Sequence, residues 1–389
     1  HSRQPLTGAQ AMETVAPSLI AEVMPNYSLR QVDRVAVSAE PSRTYSVARQ
    51  VEMYRLPFVR GLFQLRLVPE RLAAWIRGRA IEPDLSSRID DIAHPGSGFL
   101  VLAEAQGREV VVGSVGKFWK PRIEFAPVTA EQFKVFDWPG YGKLAWCIRV
   151  DPRIGGGSWV TIELRVDATD AASLARFKRY WWVIGRFSHT IRRGVLRLLV
   201  RELGAVRPDA SRSFPGDEVL ARCRFQKTHA ITIEAPVDRV WPWLVQMGAS
   251  RAGWYSFDLF DNGGVPSADR IIPELQSLEV GDVLPALPKS PEGFAVVSLD
   301  APRSLVLGTP SLAAGGVRSG AEPPWKTSWA FILEPIGGDA TRLTVRVRAE
   351  YAPDLKMALL RPALGIAHEI MERRQLHNLR WRAEARAAT

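Results

Sequence analysis

The residues of this chain that could do chemistry are scattered, and few of them have the spacing of a known site. His368 and Glu372 stand four apart and would share one face of a helix, but a zinc-protease motif needs a second histidine at that spacing. Asp258, Asp261 and Asn262 precede two glycines, and turn formation explains them better than a calcium loop, whose spacing is absent. The sequence therefore predicts no metal and no other cofactor.

Motifs for nucleophilic or phosphate chemistry are also missing from the sequence. The chain has no Gly-x-Ser-x-Gly elbow and no P-loop, and the segment 94–99 lacks the third glycine of a dinucleotide fingerprint. The cysteine and histidine spacing gives no iron–sulfur motif. A general acid or base is possible, but no spacing selects one among Glu163, His229, Tyr255 and Asp258.

Aromatic and amide side chains are the remaining candidates, and they concentrate in the segment 234–256. Val240 and Leu244 recur at helical spacing and are expected in the core. Trp254 and Tyr255 follow a glycine-flanked turn, where a pocket wall and a core position are both open interpretations. The candidate ligand-binding residues of the second half are Trp241, Gln246, Trp254, Tyr255, Asp258, Asn262 and Trp329, and those of the first half are Tyr45, Phe118, Trp119, Trp146, Tyr180 and Trp181.

An internal repeat indicates which elements must position these residues. Residues 35–39 and 231–235 both alternate as a half-buried strand should, and each is followed by a proline, a capping residue and a helical pattern. Residues 150–166 and 333–349 both predict a strand, a glycine turn and a second strand. The chain is therefore interpreted as a tandem duplication.

Each copy is predicted to contain antiparallel strands and to end in a long helix. The helices are expected over 171–203 and 354–384. Along 158–166, apolar residues alternate with polar ones such as Thr161 and Glu163, so the sheet is expected to be covered on one face only. A curved sheet is wider than one helix, and a cavity is expected where side chains do not fill the gap.

Length and charge limit the classes of partner. A chain of 389 residues with a net charge of +10 is expected to form two domains and could attract an anionic partner. Arginines recur at helical spacing opposite an apolar stripe, which indicates the solvated face of a docked helix, with weak contact to an anionic membrane surface as the alternative. No nucleic-acid motif accompanies them, so no nucleic-acid partner is expected, and no obligate protein partner is evident. The arginines are Arg179, Arg186, Arg193, Arg197 and Arg201, and the stripe is Ile184, Phe187, Ile191, Val195 and Leu198.

The expected location is the cytoplasm. No uninterrupted apolar run in the sequence is long enough to span a bilayer. The first residues lack the basic stretch and apolar core of a signal peptide. The cysteines Cys147 and Cys223 fall in different halves and form no disulfide framework, which fits a reducing compartment.

Several motifs together carry a family resemblance. Those of the second copy are IEAPVDRVWPWLVQMG (233–248), RAGWYSFDLFDNGG (251–264), LEVGDVLP (278–285) and MERRQLHNLRWRAE (371–384). Through them the second copy resembles the SRPBCC superfamily, also called START-like or Bet v 1-like. The first copy resembles another bacterial branch of that superfamily through GSVGKFWKP (113–121), IELRVDATD (162–170) and RFKRYWWVI (176–184). It departs from that branch at Ile162, where threonine is common.

The resemblance implies the helix-grip fold, an α+β arrangement in which a curved antiparallel sheet wraps around a long C-terminal helix. The expected organisation is a poorly ordered extension over 1–23, a first domain over 24–203, a linker over 204–216 and a second domain over 217–389. The implied function is binding of an apolar or amphipathic small molecule, such as a lipid, polyketide or terpenoid, in the cavity of one or both domains. Two alternatives stay open: a cofactor-independent polyketide cyclase, dehydratase or aromatase that uses the same cavity, and a membrane-surface or scaffold protein that uses the arginine face.

Overall fold

The computed structural model describes residues 17–51, 97–120, 123–206, 213–290, 293–312, 325–351 and 355–385. These residues form two compact units, one on each side of the segment 207–212. Each unit contains an antiparallel sheet and a long C-terminal helix, so the predicted α+β class is confirmed. The part of the predicted extension before residue 17 and the centre of the predicted linker, 207–212, lie outside the described residues.

Unit one begins with a short helix and ends with a long one. Its described helices are α1 (Leu19–Val23), α2 (Pro41–Gln50), α3 (Ala130–Val135) and α4 (Ala171–Leu203). Its described strands are β1 (Leu29–Val37), β2 (Leu100–Ala105), β3 (Glu109–Gly116), β4 (Gly142–Pro152) and β5 (Ser158–Ala168). The strands lie in the order β1-β5-β4-β3-β2, and the neighbours are antiparallel.

Unit two has the same kind of sheet with a further short strand at its edge. Its described helices are α5 (Val237–Val245), α6 (Asp258–Asp261) and α7 (Leu355–Glu384). Its described strands are β6 (Phe225–Ile233), β7 (Val283–Pro285), β8 (Gly293–Asp300), β9 (Ser304–Gly308), β10 (Trp325–Ile336) and β11 (Ala340–Tyr351). They lie in the order β6-β11-β10-β9-β8-β7, again antiparallel. Among the helices that the structure describes, none is long and apolar enough to cross a membrane.

The two sheets repeat one topology. In each sheet the first strand pairs with the last, and the other strands follow in reverse chain order. The pairing register also shifts at a corresponding place, between Val101 and Ala103 in β2 and between Val296 and Ser298 in β8. Both hairpins predicted from the repeat are confirmed, since β4 pairs with β5 and β10 pairs with β11. The repeat in the sequence is thus a repeat in the fold.

One face of each sheet is buried against the long helix. In unit one, Val160 of β5 belongs to the same apolar cluster as Leu199 of α4, and both have no exposed surface. In unit two, Leu343 of β11 and Leu379 of α7 share a cluster in the same way. Full burial of such a side chain stabilises the fold by about 1.5–3 kcal/mol. This helix-facing core holds the helix against the sheet in both units.

The apolar stripe predicted for α4 is partly correct. Val195 is buried, whereas Ile184, Ile191 and Leu198 are half-buried. The most deeply buried apolar position of this half of the helix is Leu199, so the face against the sheet is rotated slightly from the predicted stripe. The exposed arginines are Arg179, Arg193, Arg197 and Arg201, and the side chains of Arg186 and Phe187 lie outside the described part.

The opposite face of the unit-one sheet is also buried, so the prediction of a sheet covered on one face only is wrong. Glu163 of β5 has no exposed surface. Cys147, its direct partner on β4, packs with Ile20 of α1 and Phe133 of α3. The prediction failed because it took polar outward-facing residues as exposed, whereas this face is covered by the two short helices.

The buried charges of this face are paired, as burial of charge requires. Glu163 accepts hydrogen bonds from Nε of Arg30 at 2.8 Å and from Nε of Arg165 at 2.7 Å. Burial alone would raise the pKa of Glu163, but the bonds and charges of the two arginines hold it below its usual value. The outward residues of β5 therefore form a structural network.

Helix α1 is fixed to the sheet by a carboxylate at its start. Glu109 of β3 is fully buried and accepts hydrogen bonds from Oγ of Ser18 at 2.8 Å and from the backbone NH of Leu19 at 2.9 Å. A carboxylate at this end also satisfies NH groups that a helix start leaves unpaired. The helical end of the predicted extension over 1–23 is therefore part of unit one.

The corresponding face of unit two is covered by the segment that precedes β6. Arg346 of β11 is 6% exposed, pairs with the carboxylate of Asp217 at 2.5 Å, and lies 4.5 Å from the ring centre of Phe214. Phe214 also packs on Val306 and Ile332 of the sheet. Both sheets are thus covered on two faces, and in both the outer cover includes the chain that precedes the first strand.

Candidate functional site

The site lies in unit two and begins with the loop that follows α5. Gly248 and Gly253 bond to each other's backbone at 3.2 and 3.0 Å, which closes a tight turn. Gly253 has φ of +81°, and a Cβ there would meet Oγ of Ser267 at 2.1 Å, so glycine is required. Tyr255 is also left-handed, with φ of 58°. The loop keeps this strained backbone conformation because the surrounding hydrogen bonds hold it in place.

Trp254 forms an aromatic wall at the end of this loop. Its Nε1 donates to the carbonyl of Pro285 at 3.2 Å, which fixes the ring. The indole stacks on Trp329 of β10 with ring centres 5.4 Å apart, and meets Phe294 of β8 edge to face at 5.8 Å. Such contacts are among the favourable geometries of aromatic pairs, so the three rings form one rigid surface.

The loop is fastened to α7 by hydrogen bonds. Gln375 Nε2 donates to Trp254 O at 2.9 Å, Asn378 Nδ2 to Tyr255 O at 2.9 Å, Arg374 Nε to Ser256 O at 3.0 Å, and Ser256 Oγ to Met371 O at 3.0 Å. Three consecutive loop residues are therefore tied to one face of the long helix. This fixes the distance between the aromatic wall and α7.

A cavity of about 200 Å³ lies between the aromatic wall and α7. Its apolar lining is Trp254, Ala286, Phe294, Trp329 and Met371, and its polar lining is Ser256, Asp261, His368, Glu372 and Gln375. An apolar cavity of about 150 Å³ can hold benzene. The cavity of unit two is therefore large enough for the body of a one-ring molecule.

Several polar atoms of the lining have no hydrogen-bond partner in the described part of the chain. They are Oδ1 and Oδ2 of Asp261, Oε1 of Glu372, Oε1 of Gln375, Nε1 of Trp329 and Nε2 of His368. The amide of Gln375 is oriented by its bond to the Trp254 carbonyl, which leaves the oxygen unpaired. Buried polar atoms are normally paired, so their concentration without partners at one cavity is unusual.

Glu372 lies between two histidines. One carboxylate oxygen is 2.5 Å from Nδ1 of His229 on β6 and 3.5 Å from Nε2 of His368, one helical turn earlier. Burial lowers the pKa of His368, although the charge of Glu372 opposes the shift, so this imidazole is neutral at pH 7. Among the described residues no set of three or more His, Cys, Asp or Glu could hold a metal ion. His229 and Glu372 therefore form a hydrogen-bonded pair between β6 and α7.

Asp261 is the carboxyl group of the lining with the least compensation. It is 6% exposed and lies at the end of α6. Burial, followed by the charge of Asp258, raises its pKa to about 6. A carboxyl group with such a pKa changes its protonation near neutral pH, which suits a general acid or base.

The predicted residues of the opening loop are divided between the cavity and the core. Trp254 lines the cavity, together with Trp329 from β10. Tyr255 is 1% exposed and belongs to the core, where its Oη accepts a hydrogen bond from Nε2 of Gln246 at 2.8 Å. The Gln246 oxygen accepts from the backbone NH of Ile272 at 2.9 Å. The Gln246 amide therefore fixes a loop and does not line the cavity.

The other predicted residues of unit two are absent from the described cavity lining and have structural partners. Trp241 is half-buried against the core. Asp258 accepts a hydrogen bond from Oγ of Ser267. Asn262 accepts from the backbone NH of Ser250 at 3.1 Å and donates to the carbonyl of Val265 at 2.8 Å, as its interpretation as a turn residue requires.

Five of the six predicted aromatic residues of unit one lie in one apolar cluster. Phe118 is buried edge to face against Phe177, on which Trp181 stacks with centres 5.5 Å apart. Trp119, Trp146 and Tyr180 are half-buried in the same cluster. Tyr45 lies elsewhere and donates from its hydroxyl to Glu104 at 2.7 Å, and burial raises its pKa.

The cavity-lining residues on α7 were not among the candidate site residues of the sequence. His368, Glu372 and Gln375 follow each other at spacings of four and three, which places them on one face of the helix. In the sequence, the pair His368 and Glu372 matches only an incomplete zinc motif. The missed signal was a polar line at helical spacing in a helix that was expected to cover a sheet.

Comparison with known proteins gives distant likenesses. No protein-family model and no curated protein matches the chain. Among solved structures, the di-domain ARO/CYC BexL from the BE-7585A biosynthetic pathway is similar over 92% of this chain and 100% of its own, at 12% identity and a TM-score of 0.24. A conserved protein from Geobacillus kaustophilus is similar over 41% of this chain and 95% of its own, at 15% identity and a TM-score of 0.24. A protein from Chromobacterium violaceum is similar over 41% of this chain and 98% of its own, at 12% identity and a TM-score of 0.26.

Proposed function

We propose that both units are helix-grip domains and that unit two binds a small, largely apolar molecule in the cavity between its sheet and α7. One observation carries this proposal: the aromatic wall around Trp254 and the unpartnered polar atoms of α6 and α7 border the same cavity. Binding sites for small molecules are mostly apolar, with a few placed polar groups that orient the ligand.

The energetics favour an occupied cavity. A buried polar atom without a partner costs about 1–3 kcal/mol, and Asp261, Glu372 and Gln375 each leave such an oxygen at the cavity. A ligand that supplies partners removes part of this cost and buries aromatic surface of Trp254 and Trp329. If these side chains served only the core, nothing would offset the free-energy cost of their unpaired oxygens.

The test is a titration with 4-(dimethylamino)benzonitrile, a neutral one-ring dye without hydrogen-bond donors whose emission changes in apolar surroundings. We expect the wild type to bind it and Ala286→Phe to bind it much more weakly, because Ala286 lines the cavity and a larger side chain fills it. Leu287→Phe is the matched control, since Leu287 is 49% exposed next to it. Equal dye affinity in both variants would show that the dye does not enter this cavity.

A second candidate function is a polyketide cyclase, dehydratase or aromatase acting on a molecule in the same cavity. The observation in its favour is the raised pKa of Asp261, about 6, at the cavity surface. Near neutral pH this carboxyl group can accept a proton from an activated carbon or donate one to a leaving hydroxyl. Holding a flexible chain in one conformation would supply the rest of the rate increase.

The enzymatic candidate is tested with a synthetic aryl polyketone whose aldol closure and dehydration change its absorbance. The wild type should accelerate the reaction, and Asp261→Asn should remove the acceleration while leaving dye affinity unchanged. Reaction rates equal to the uncatalysed rate, in a protein that binds the dye, would leave unit two a binding domain.

A further inference from the structure

The unpartnered atoms at the cavity of unit two are mostly hydrogen-bond acceptors. Asp261 contributes two oxygens, and Glu372 and Gln375 contribute one each. In the described lining, Nε1 of Trp329 is the unpartnered atom that can only donate, whereas Nε2 of His368 can take either role. A ligand that satisfies this set must donate hydrogen bonds rather than accept them.

The charge around Asp261 has the same sign. Asp258, on its own helix, is the charge that raises its pKa further after burial, and α7 contributes Glu372 and the neutral His368 to the lining of the same cavity. His229 on β6 is engaged with the second oxygen of Glu372. A buried carboxylate without a compensating charge is unfavourable, so a positive group in the cavity would be stabilised here.

The nearby arginine on α7 is turned toward other groups. Nε of Arg374 donates to the carbonyl of Ser256 at 3.0 Å, and its guanidinium lies 4.5 Å from the ring centre of Phe257. Asp261 forms no ion pair within the described residues, and neither of its oxygens has a hydrogen bond of normal geometry. The backbone NH groups of Phe257 and of Asp261 itself lie close enough to lower its pKa, but by less than burial raises it. No side chain in the described part of the chain therefore compensates the charge of this carboxylate.

The aromatic wall adds a second kind of recognition. Tryptophan faces attract cations within about 6 Å of the ring, and aromatic cages recognise organic ammonium groups in this way. Trp254, Trp329 and Phe294 border the same cavity as the acceptor oxygens. Aromatic faces combined with anionic acceptors are the surroundings that an ammonium group on an apolar body requires.

We infer that the cavity of unit two binds a small organic cation, a protonated amine on an aromatic or apolar body. Its ammonium group donates to Asp261 and to the free oxygens of Glu372 and Gln375, while its body packs on Trp254 and Trp329. This inference rests on the proposed function, since it names the ligand class of the same cavity. A neutral alcohol of the same shape can donate one bond but leaves the charge of Asp261 uncompensated.

The experiment is displacement of the bound dye by 2-phenylethylamine and by 2-phenylethanol, its neutral counterpart, at pH 7.5. For the wild type we expect the amine to bind about tenfold or more tightly than the alcohol, which is the scale of a hydrogen bond to a charged group. Asp261→Asn should remove this preference, because it weakens the amine much more than the alcohol, which donates at most one bond to this side chain. Asp269→Asn, an exposed carboxylate of the same unit, is the matched control and should keep the preference.

The pH dependence gives an independent measurement on the unmodified protein. Because the pKa of Asp261 is about 6, lowering the pH from 7.5 to 5 protonates it, and amine binding should weaken much more than alcohol binding. The amine remains protonated over this range. Calorimetry, which needs no dye, should show that amine binding loses this pH dependence in Asp261→Asn. A dependence that persists in Asp261→Asn would have another origin and would overturn the role given to Asp261.

The outcomes separate this inference from the proposed function. Dye binding with equal affinities for amine and alcohol overturns the organic-cation inference and leaves the proposed function intact. An amine preference that survives in Asp261→Asn overturns it as well. A wild-type protein that does not bind the dye, the amine or the alcohol overturns both.

Discussion

The first strand of each unit contacts its long helix at an equivalent place but with exchanged chemistry. Asp33 of β1 accepts a hydrogen bond from Nε of Arg192 on α4 at 2.7 Å. His229 of β6 lies 2.5 Å from the carboxylate of Glu372 on α7. Asp33 and His229 occupy the same position of the sequence repeat, two residues before the matched positions 35 and 231. One scaffold thus places the acid on the strand in one unit and on the helix in the other.

The two pairs differ in whether their atoms are satisfied. In unit one, Arg192 also donates to Oγ of Ser188 at 2.7 Å, and the second oxygen of Asp33 lies 3.4 Å from Nδ1 of His189. In unit two, one oxygen of Glu372 is left without a partner beside the cavity. When all atoms of a buried polar pair have hydrogen-bond partners, the pair stabilises the fold. When one atom lacks a partner, that atom can bind a ligand.

The strongest way to break this comparison is to remove the arginine of unit one. Arg192→Met leaves Asp33 without its main partner, and we expect a loss of about 3 kcal/mol in the free energy of unfolding, at the low end for buried pairs because both side chains keep some solvent contact. Urea unfolding of the whole chain measures it. Arg193→Met, one position along and exposed, should change little. Equal effects of the two substitutions would refute a fold-holding role for the pair.

The comparison extends to the outer faces of the sheets, where unit one uses α1. Ile20→Ala removes a side chain with no exposed surface, and we expect unit one to lose about 2–3 kcal/mol, the lower part of the range for such truncations, because a short helix can shift inward. Glu22→Ala, exposed on the same helix, serves as control. A urea midpoint unchanged by Ile20→Ala would mean that α1 does not stabilise unit one and that the segment is part of the poorly ordered extension predicted from the sequence.

The sequence predicted the hairpins and the long helices because both depend on local periodicity. It did not predict the cover on the outer faces, because the polar residues Glu163 and Arg346 look exposed until their partners from distant segments are known. The same limit applies to the cavity. Trp254 could be proposed from its turn, but the role of Gln375 depends on how α7 is docked against a loop more than a hundred residues earlier.

The next prediction concerns the unpaired carboxyl group of unit two. Asp261 has a folded-state pKa of about 6, above the 3.8 of an unstructured chain, so its contribution to stability is present below pH 4 and is lost as the pH rises through 6. We expect Asp261→Asn to stabilise unit two by about 1–2 kcal/mol at pH 7.5, less than the full shift because solvent reaches the cavity. The difference should vanish near pH 4, as read from urea midpoints between pH 4 and 8.

A structural carboxylate would behave in the opposite way on the same substitution. Glu163, whose pKa is lowered overall by its arginines, contributes stability above its unfolded pKa and loses it as the pH falls. Glu163→Gln should therefore destabilise unit one at pH 7.5. If Asp261→Asn also destabilised unit two at pH 7.5, then Asp261 would have a partner of its own, and the contrast between paired and unpaired carboxylates would be lost.

The smallest expected effect distinguishes two neighbours, Tyr255 in the core and Trp254 at the cavity. Tyr255→Phe removes the acceptor of the Gln246 amide but keeps the ring against Trp243. We expect a loss of about 0.5–1.5 kcal/mol in unfolding free energy, the net value of one hydrogen bond. Dye affinity should not change, because Tyr255 does not line the cavity. Trp254→Leu should instead weaken the dye, since the indole is part of the wall. A change of dye affinity in Tyr255→Phe as large as in Trp254→Leu would mean that the hydroxyl of Tyr255 reaches the ligand, and the boundary between core and cavity would move one residue along the chain.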